Sequence, residues 1–191
     1  MQKTLKLKLT GNAPLILHNN RAVDPLDYYA KEIKKVTGKR SKTEADHKEL
    51  SRLEFESGLY ADEKGKLIIP SRVLEALMIS GSKKFKEGPL SKSGAFIEKD
   101  SRLTFKDQNL DAKDLFKKDE YILRLPVKVG QASLMRTRPI FKDWSIDLTI
   151  TYFPDVCDPD QIIRWFQRAG EVIGLCDYRP RYGRFSVSIT K

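Results

Sequence analysis

Leu5, Leu7 and Leu9 alternate with Lys6, Lys8 and Thr10 near the start of the chain. That period of two predicts a strand with one apolar and one basic face. After a polar stretch from Asn12 to Ala22 the period lengthens: Leu26, Tyr29, Ala30, Ile33 and Val36 recur at helical spacing. Asp24-Pro25 supplies a cap and a first-turn proline, and Gly38 a stop. Ser41-Lys42-Thr43-Glu44 has capping-box spacing and predicts a second helix towards Ser57, weakly amphipathic through Ala45, Leu50 and Leu53. Residues 24–57 therefore read as a helical insertion after the first strand.

Further along, Asp62-Glu63-Lys64-Gly65 reads as a hairpin turn, and Pro70-Ser71 opens a helix carrying Val73, Leu74, Leu77 and Met78. Gly81 to Gly94, rich in Gly, Ser and Lys, predicts a mobile loop. Leu103–Phe105 predicts a short strand. Tyr121–Val129 and Ala132–Phe141 predict paired strands about Gly130, a hairpin over 121–142. Ile146, Leu148, Ile150 and Tyr152 alternate with polar residues in another strand. Asp158-Pro159-Asp160-Gln161 then starts a helix whose stripe is Ile162, Phe166, Ala169 and Ile173, ending near Gly174. Phe185, Val187 and Ile189 mark the last strand. Without the insertions the order is strand, helix, strand, strand, helix, strand: an α+β, ferredoxin-like (RRM-like) split βαβ core, read as a single domain over residues 1–191.

Composition narrows the picture. The chain has 191 residues, 40% of them hydrophobic and 32% charged, enough for a packed core and too ordered a mixture for a disordered tail. No uncharged apolar run approaches the ~20 residues of a membrane helix, and the N-terminal stretch lacks a signal-peptide core, so a cytoplasmic protein without a membrane partner is expected. Cys157 and Cys176 are too few for a disulfide scaffold or a cysteine-rich zinc site. Thirty-six basic against 26 acidic residues leave +10, which favours a polyanionic partner.

The basic residues are not evenly spread. Tyr121 to Lys142 holds no Asp or Glu, yet it carries Arg124, Lys128, Arg136, Arg138 and Lys142. Strand spacing puts Arg136 and Arg138 on one side, both expected exposed, where two guanidiniums suit adjacent phosphates. Met135 adds a soft wedge against bases. Tyr178-Arg179-Pro180-Arg181-Tyr182-Gly183-Arg184 interleaves arginines with stacking faces and a glycine, the composition of a single-strand-binding loop. Lys83 and Lys84, with Lys86 and Lys92, form a weaker patch. Catalytic signals are thin. His18 and His47 are the only histidines, no nucleotide-binding glycine loop, HExxH or serine elbow occurs, and Asp24, Asp27 and Asp46 suit helix caps. No cofactor and no metal are expected.

Two stretches carry a family resemblance. Leu67-Ile68-Ile69-Pro70-Ser71-Arg72-Val73-Leu74-Glu75-Ala76-Leu77 and the late loop Gly174 to Phe185, set in the ferredoxin-like order, resemble the RAMP superfamily of CRISPR-associated proteins, nearest to the backbone subunits of effector complexes. The resemblance implies a non-enzymatic subunit with a thumb-like hairpin. It also implies that copies stack into a filament on single-stranded guide RNA, or on single-stranded DNA in a stand-alone or phage-borne relative, beside other effector subunits. Two alternatives stay open. One is a metal-independent RAMP-type endoribonuclease, with His18, in the loop after the first strand, as acid or base. The other is a mimic that inhibits a CRISPR complex.

Overall fold

The alternating leucines do form a strand, because only one of its faces is covered: Leu7 and Leu9 are buried and Lys6 and Thr10 exposed. In this computed structural model, which describes residues 1–190, that strand is β1 (Lys3–Gly11) and is followed by β2 (Leu15–Ile16), α1 (Tyr28–Thr37) and α2 (Glu44–Gly58). Next come β3 (Ile68–Ile69), α3 (Ser71–Ser82), α4 (Gly88–Gly94), β4 (Ala95–Phe96), β5 (Ser101–Thr104) and α5 (Ala112–Phe116). The rest is β6 (Ile122–Val129), β7 (Ala132–Phe141), β8 (Ser145–Tyr152), α6 (Pro159–Val172) and β9 (Phe185–Ile189). The architecture is mixed α+β. The chain divides into two units: residues 1–16, 61–108 and 141 onward, and residues 17–60 and 109–140. Residues 24–57 lie wholly in the second.

The first unit is built on a sheet of order β3-β5-β8-β1-β9, with β4 also paired to β8. The pairs β1–β8, β1–β9 and β5–β8 are all antiparallel. Leu7, Leu9, Ile146, Leu148 and Ile150 supply the buried face, and Leu74, Leu77 and Met78 of α3 with Ile162, Trp165, Phe166 and Ala169 of α6 complete the core. The two helices touch closely at Gly81, where a β-carbon would stand 2.1 Å from the Trp165 carbonyl oxygen. Asp158 caps α6 in a reciprocal box with Gln161, as the sequence predicts.

The second unit packs α1 and α2 against each other and sets Phe55 of α2 on Phe116 of α5, ring centroids 5.4 Å apart. Its other main element is the β6–β7 ribbon, paired from Ile122↔Pro139 to Val129↔Ala132 and turning at Gly130, whose φ of +61° is natural for glycine.

Three sequence expectations need correction. The first insertion helix starts at Tyr28, not after Asp24-Pro25, because Asp27 caps it by accepting from the Tyr29 backbone N–H. The second helix uses Thr43 and Asp46 as its box, not Ser41. The Gly81–Gly94 stretch is no mobile loop. It holds the end of α3, a short 3-10 turn and α4, with Ser82 and Ser91 fully buried and hydrogen-bonded hydroxyl to hydroxyl at 2.7 Å.

Candidate nucleic-acid interface

In the second unit, strand register decides what the basic ribbon can offer. Arg124 opposes Thr137 and Lys128 opposes Ser133, so these cations share a face with Met135. Arg136 opposes Leu125 and Arg138 opposes Leu123, on the other face. Arg124 and Lys128 are exposed and have no ion-pair partner among the described residues.

Arg136 and Arg138 do not stand exposed as expected; both are half-buried. The Arg136 guanidinium pairs with the Glu54 carboxylate of α2, whose side chain is only 6% exposed. The second Glu54 oxygen accepts the Thr137 backbone N–H at 2.8 Å. Arg138 donates to the Thr137 carbonyl oxygen at 3.2 Å. The stretch free of acids in sequence thus meets an acid in space. The signal for Glu54 was there: Leu50, Glu54 and Ser57 lie on one helical stripe, which puts a carboxylate on a face turned inward.

In the first unit the late loop is held from within. Gly183 donates its N–H to the Pro14 carbonyl at 2.8 Å and accepts the Leu175 N–H at 2.8 Å, with φ at +69°. A β-carbon there would lie 2.0 Å from the Leu175 carbonyl oxygen, so only glycine fits. The Arg184 carbonyl accepts from Asn12 and Ala13. With the backbone anchored, Arg179, Arg181 and Arg184 stand exposed, and none has an ion-pair partner among the described residues. Tyr182 is half-buried, its ring edge-on to Tyr178 with centroids 6.4 Å apart. Cys176, within the same loop, has its thiol pushed up to about 12 by burial.

The lysine patch of the first unit sits on a fixed platform. Glu87 accepts from the Trp165 indole N–H and, at 2.7 Å, from Arg164. Those two bonds, the indole first, hold its carboxyl below the usual range. Lys83, Lys84, Lys86 and Lys92 are exposed around it, and Lys83, Lys86 and Lys92 border an open recess with Gly88 and Pro89.

His18 is exposed, and its carbonyl accepts the Tyr60 hydroxyl at 3.1 Å. Among the described residues no group of three or more His, Cys, Asp or Glu side chains is placed to hold a metal ion, and no helix is long and apolar enough to cross a membrane.

Sequence reasoning did not single out a second feature of the second unit. Glu44, His47, Lys48, Leu50, Ser51 and Glu54 of α2 face Arg124, Met135 and Thr137 across a recess of about 440 Å³. It depends on the pairing of a helix with a ribbon some 80 residues away, as in Arg136–Glu54, and no local pattern announces it.

No family model matches the chain, and no curated protein is significantly similar to it. Among solved structures it is similar to a chain of the Type III-B Cmr-beta complex bound to cognate target RNA, determined by cryo-EM, at 11% identity and a TM-score of 0.49. The match covers 99% of this chain and 60% of that one, so this chain spans less than two thirds of its neighbour's length.

Proposed function

We propose that this protein binds single-stranded nucleic acid without enzymatic activity, as a RAMP-type backbone subunit that coats guide RNA in a CRISPR-type effector complex or a related phage system. The observation that carries the reading is the late loop: Arg179, Arg181 and Arg184 are held outward and unpaired by a backbone anchored at Gly183. Exposed guanidiniums with no carboxylate to satisfy them are poised to fork onto phosphates, and Tyr182 and Tyr178 add aromatic surface for bases. Arg124 and Lys128 on the ribbon, and the lysines around Glu87, extend the same chemistry. The antiparallel order β5-β8-β1-β9, with α3 and α6 as the crossover helices, supports a ferredoxin-like core. The β6–β7 ribbon supports the part of the thumb.

The test is fluorescence anisotropy with labelled single-stranded RNA and DNA. Binding at low salt is expected, weakened about tenfold or more when Arg179, Arg181 and Arg184 are all changed to Ala. RNA incubated with the protein in EDTA is expected to stay intact. Clean cutting, or equal affinity of the triple variant, overturns the reading.

A further inference from the structure

We infer that the outer edge of β9 takes an extended, acidic segment of another protein as an added strand. The sheet order leaves β9 at one end, paired on one side only, to β1. Two bonds flanking that ladder fix which backbone groups point where. Thr190 donates to the Lys6 carbonyl at 3.1 Å, and Asn12 donates to the Arg184 carbonyl at 2.8 Å. Bonded pairs alternate along an antiparallel ladder. Ser186 and Ser188 therefore turn their backbone groups to β1, and Phe185, Val187 and Ile189 turn theirs outward. α6 closes on the first of these three: a β-carbon at Gly170 would stand 2.2 Å from the Phe185 carbonyl oxygen. The outward N–H and C=O groups of Val187 and Ile189 have no partner among the described residues.

Sheet edges are ordinarily blunted by a charge, a proline or a bulge. In the second unit the edge strand β6 carries Arg124, Pro126 and Lys128. The run Phe185-Ser186-Val187-Ser188-Ile189 has none of these devices, and its register on β1 is unbroken. Its two faces say what would fit beside it. Val187 opposes Leu9 and Ile189 opposes Leu7, on the apolar side, yet Ile189 is 65% exposed. An added strand would lay its own apolar side chains against it. The other side is polar and basic, with Lys6 and Lys8 of β1 in no ion pair among the described residues. An added strand lies two spacings, roughly 10 Å, from β1, within the joint reach of a lysine and a glutamate. A segment alternating apolar and acidic residues matches both faces. A phosphodiester backbone has no donor for the two free carbonyls, whereas an extended polypeptide repeats donor and acceptor as the edge does. A second copy would bring +10 against +10.

The probe is a capped decapeptide alternating valine and glutamate, followed by fluorescence anisotropy. Its control is the same peptide N-methylated throughout, which keeps charge and side chains and removes every donor. The control is expected to bind about tenfold more weakly or worse. Ile189→Pro deletes an outward N–H that β1 does not use, at an exposed position. It is expected to keep the wild-type melting temperature and to lose about tenfold in peptide affinity. Should that variant melt early, the comparison of the two peptides decides. Equal binding of both peptides, no binding of either, or unchanged affinity in a stable Ile189→Pro overturns the proposal. Sedimentation of the protein alone is expected to show no dimer through this edge; a dimer that Ile189→Pro dissolves would hand the edge to a second copy and overturn the acidic partner.

Discussion

Arg136 shows how a residue's worth depends on what faces it. A guanidinium paired with a nearly buried carboxylate is a structural bond, and removing one partner strands the other charge. The full cost for a buried pair is ~3–5 kcal/mol, and the Arg136 side chain is 29% exposed, so Arg136→Ala is expected to lose about 2 kcal/mol in a denaturant titration. Arg124→Ala, at an exposed and unpaired position, is expected to leave stability unchanged while weakening nucleic-acid binding. Equal melting of the two variants would show that the ion pair holds nothing. A second residue contributes to the acid limb. Asp46 accepts from Lys39 and from the Thr43 N–H and hydroxyl, and these bonds, Lys39 first, bring its carboxyl down to about 2 from 3.8. A carboxyl depressed in the folded state stabilises fully above its unfolded value and ceases to as pH falls through the folded one. Helix α2 is therefore expected to fray between about pH 4 and pH 2, and Asp46→Asn to show a flatter circular-dichroism profile over that window.

Among elements, those shaped by one-sided burial were legible in the sequence. The period of two in β1 and β8 and the box at Asp158 each follow from a local pattern that the fold leaves intact. The segment from Lys83 to Gly94 was not legible, because small residues and a tertiary bond hold it, not an apolar stripe. Gly88, Ser91 and Gly94 are buried where the sequence reads as flexible, and Glu87 fastens the turn to α6 through Trp165 and Arg164. The candidate site divides the same way. The arginine loop was visible from composition, whereas the Glu54 counter-ion and the recess arise only when α2 meets the ribbon. Glu87→Ala is accordingly expected to cost about 1–3 kcal/mol and to speed amide exchange across residues 83–94, leaving β1 and β8 protected. Uniform exchange change across the chain would mean that the segment has no independent anchor.

For the whole molecule, the surplus of +10 sets when copies can meet. Like-charged copies repel in solution, and a polyanion removes that barrier, so assembly is expected only on the strand. The 24–57 insertion carries a candidate contact: Leu26 is 77% and Tyr28 59% exposed, with Val23 beside them at 81%. Leu26→Glu is expected to abolish cooperative binding to a long single strand while leaving affinity for a strand one subunit long unchanged, and electron microscopy should show filaments for the wild type and scattered particles for the variant. Phosphate contacts must account for the salt dependence. Each neutralised phosphate of a single strand contributes about 0.7 to the log–log slope, so removing Arg179, Arg181 and Arg184 should flatten the slope by roughly two. A wild type that binds a long strand without cooperativity would reduce the molecule to a monomeric binder. A slope that the triple variant leaves untouched would show that the late loop neutralises no phosphate, and would overturn the proposed function with it.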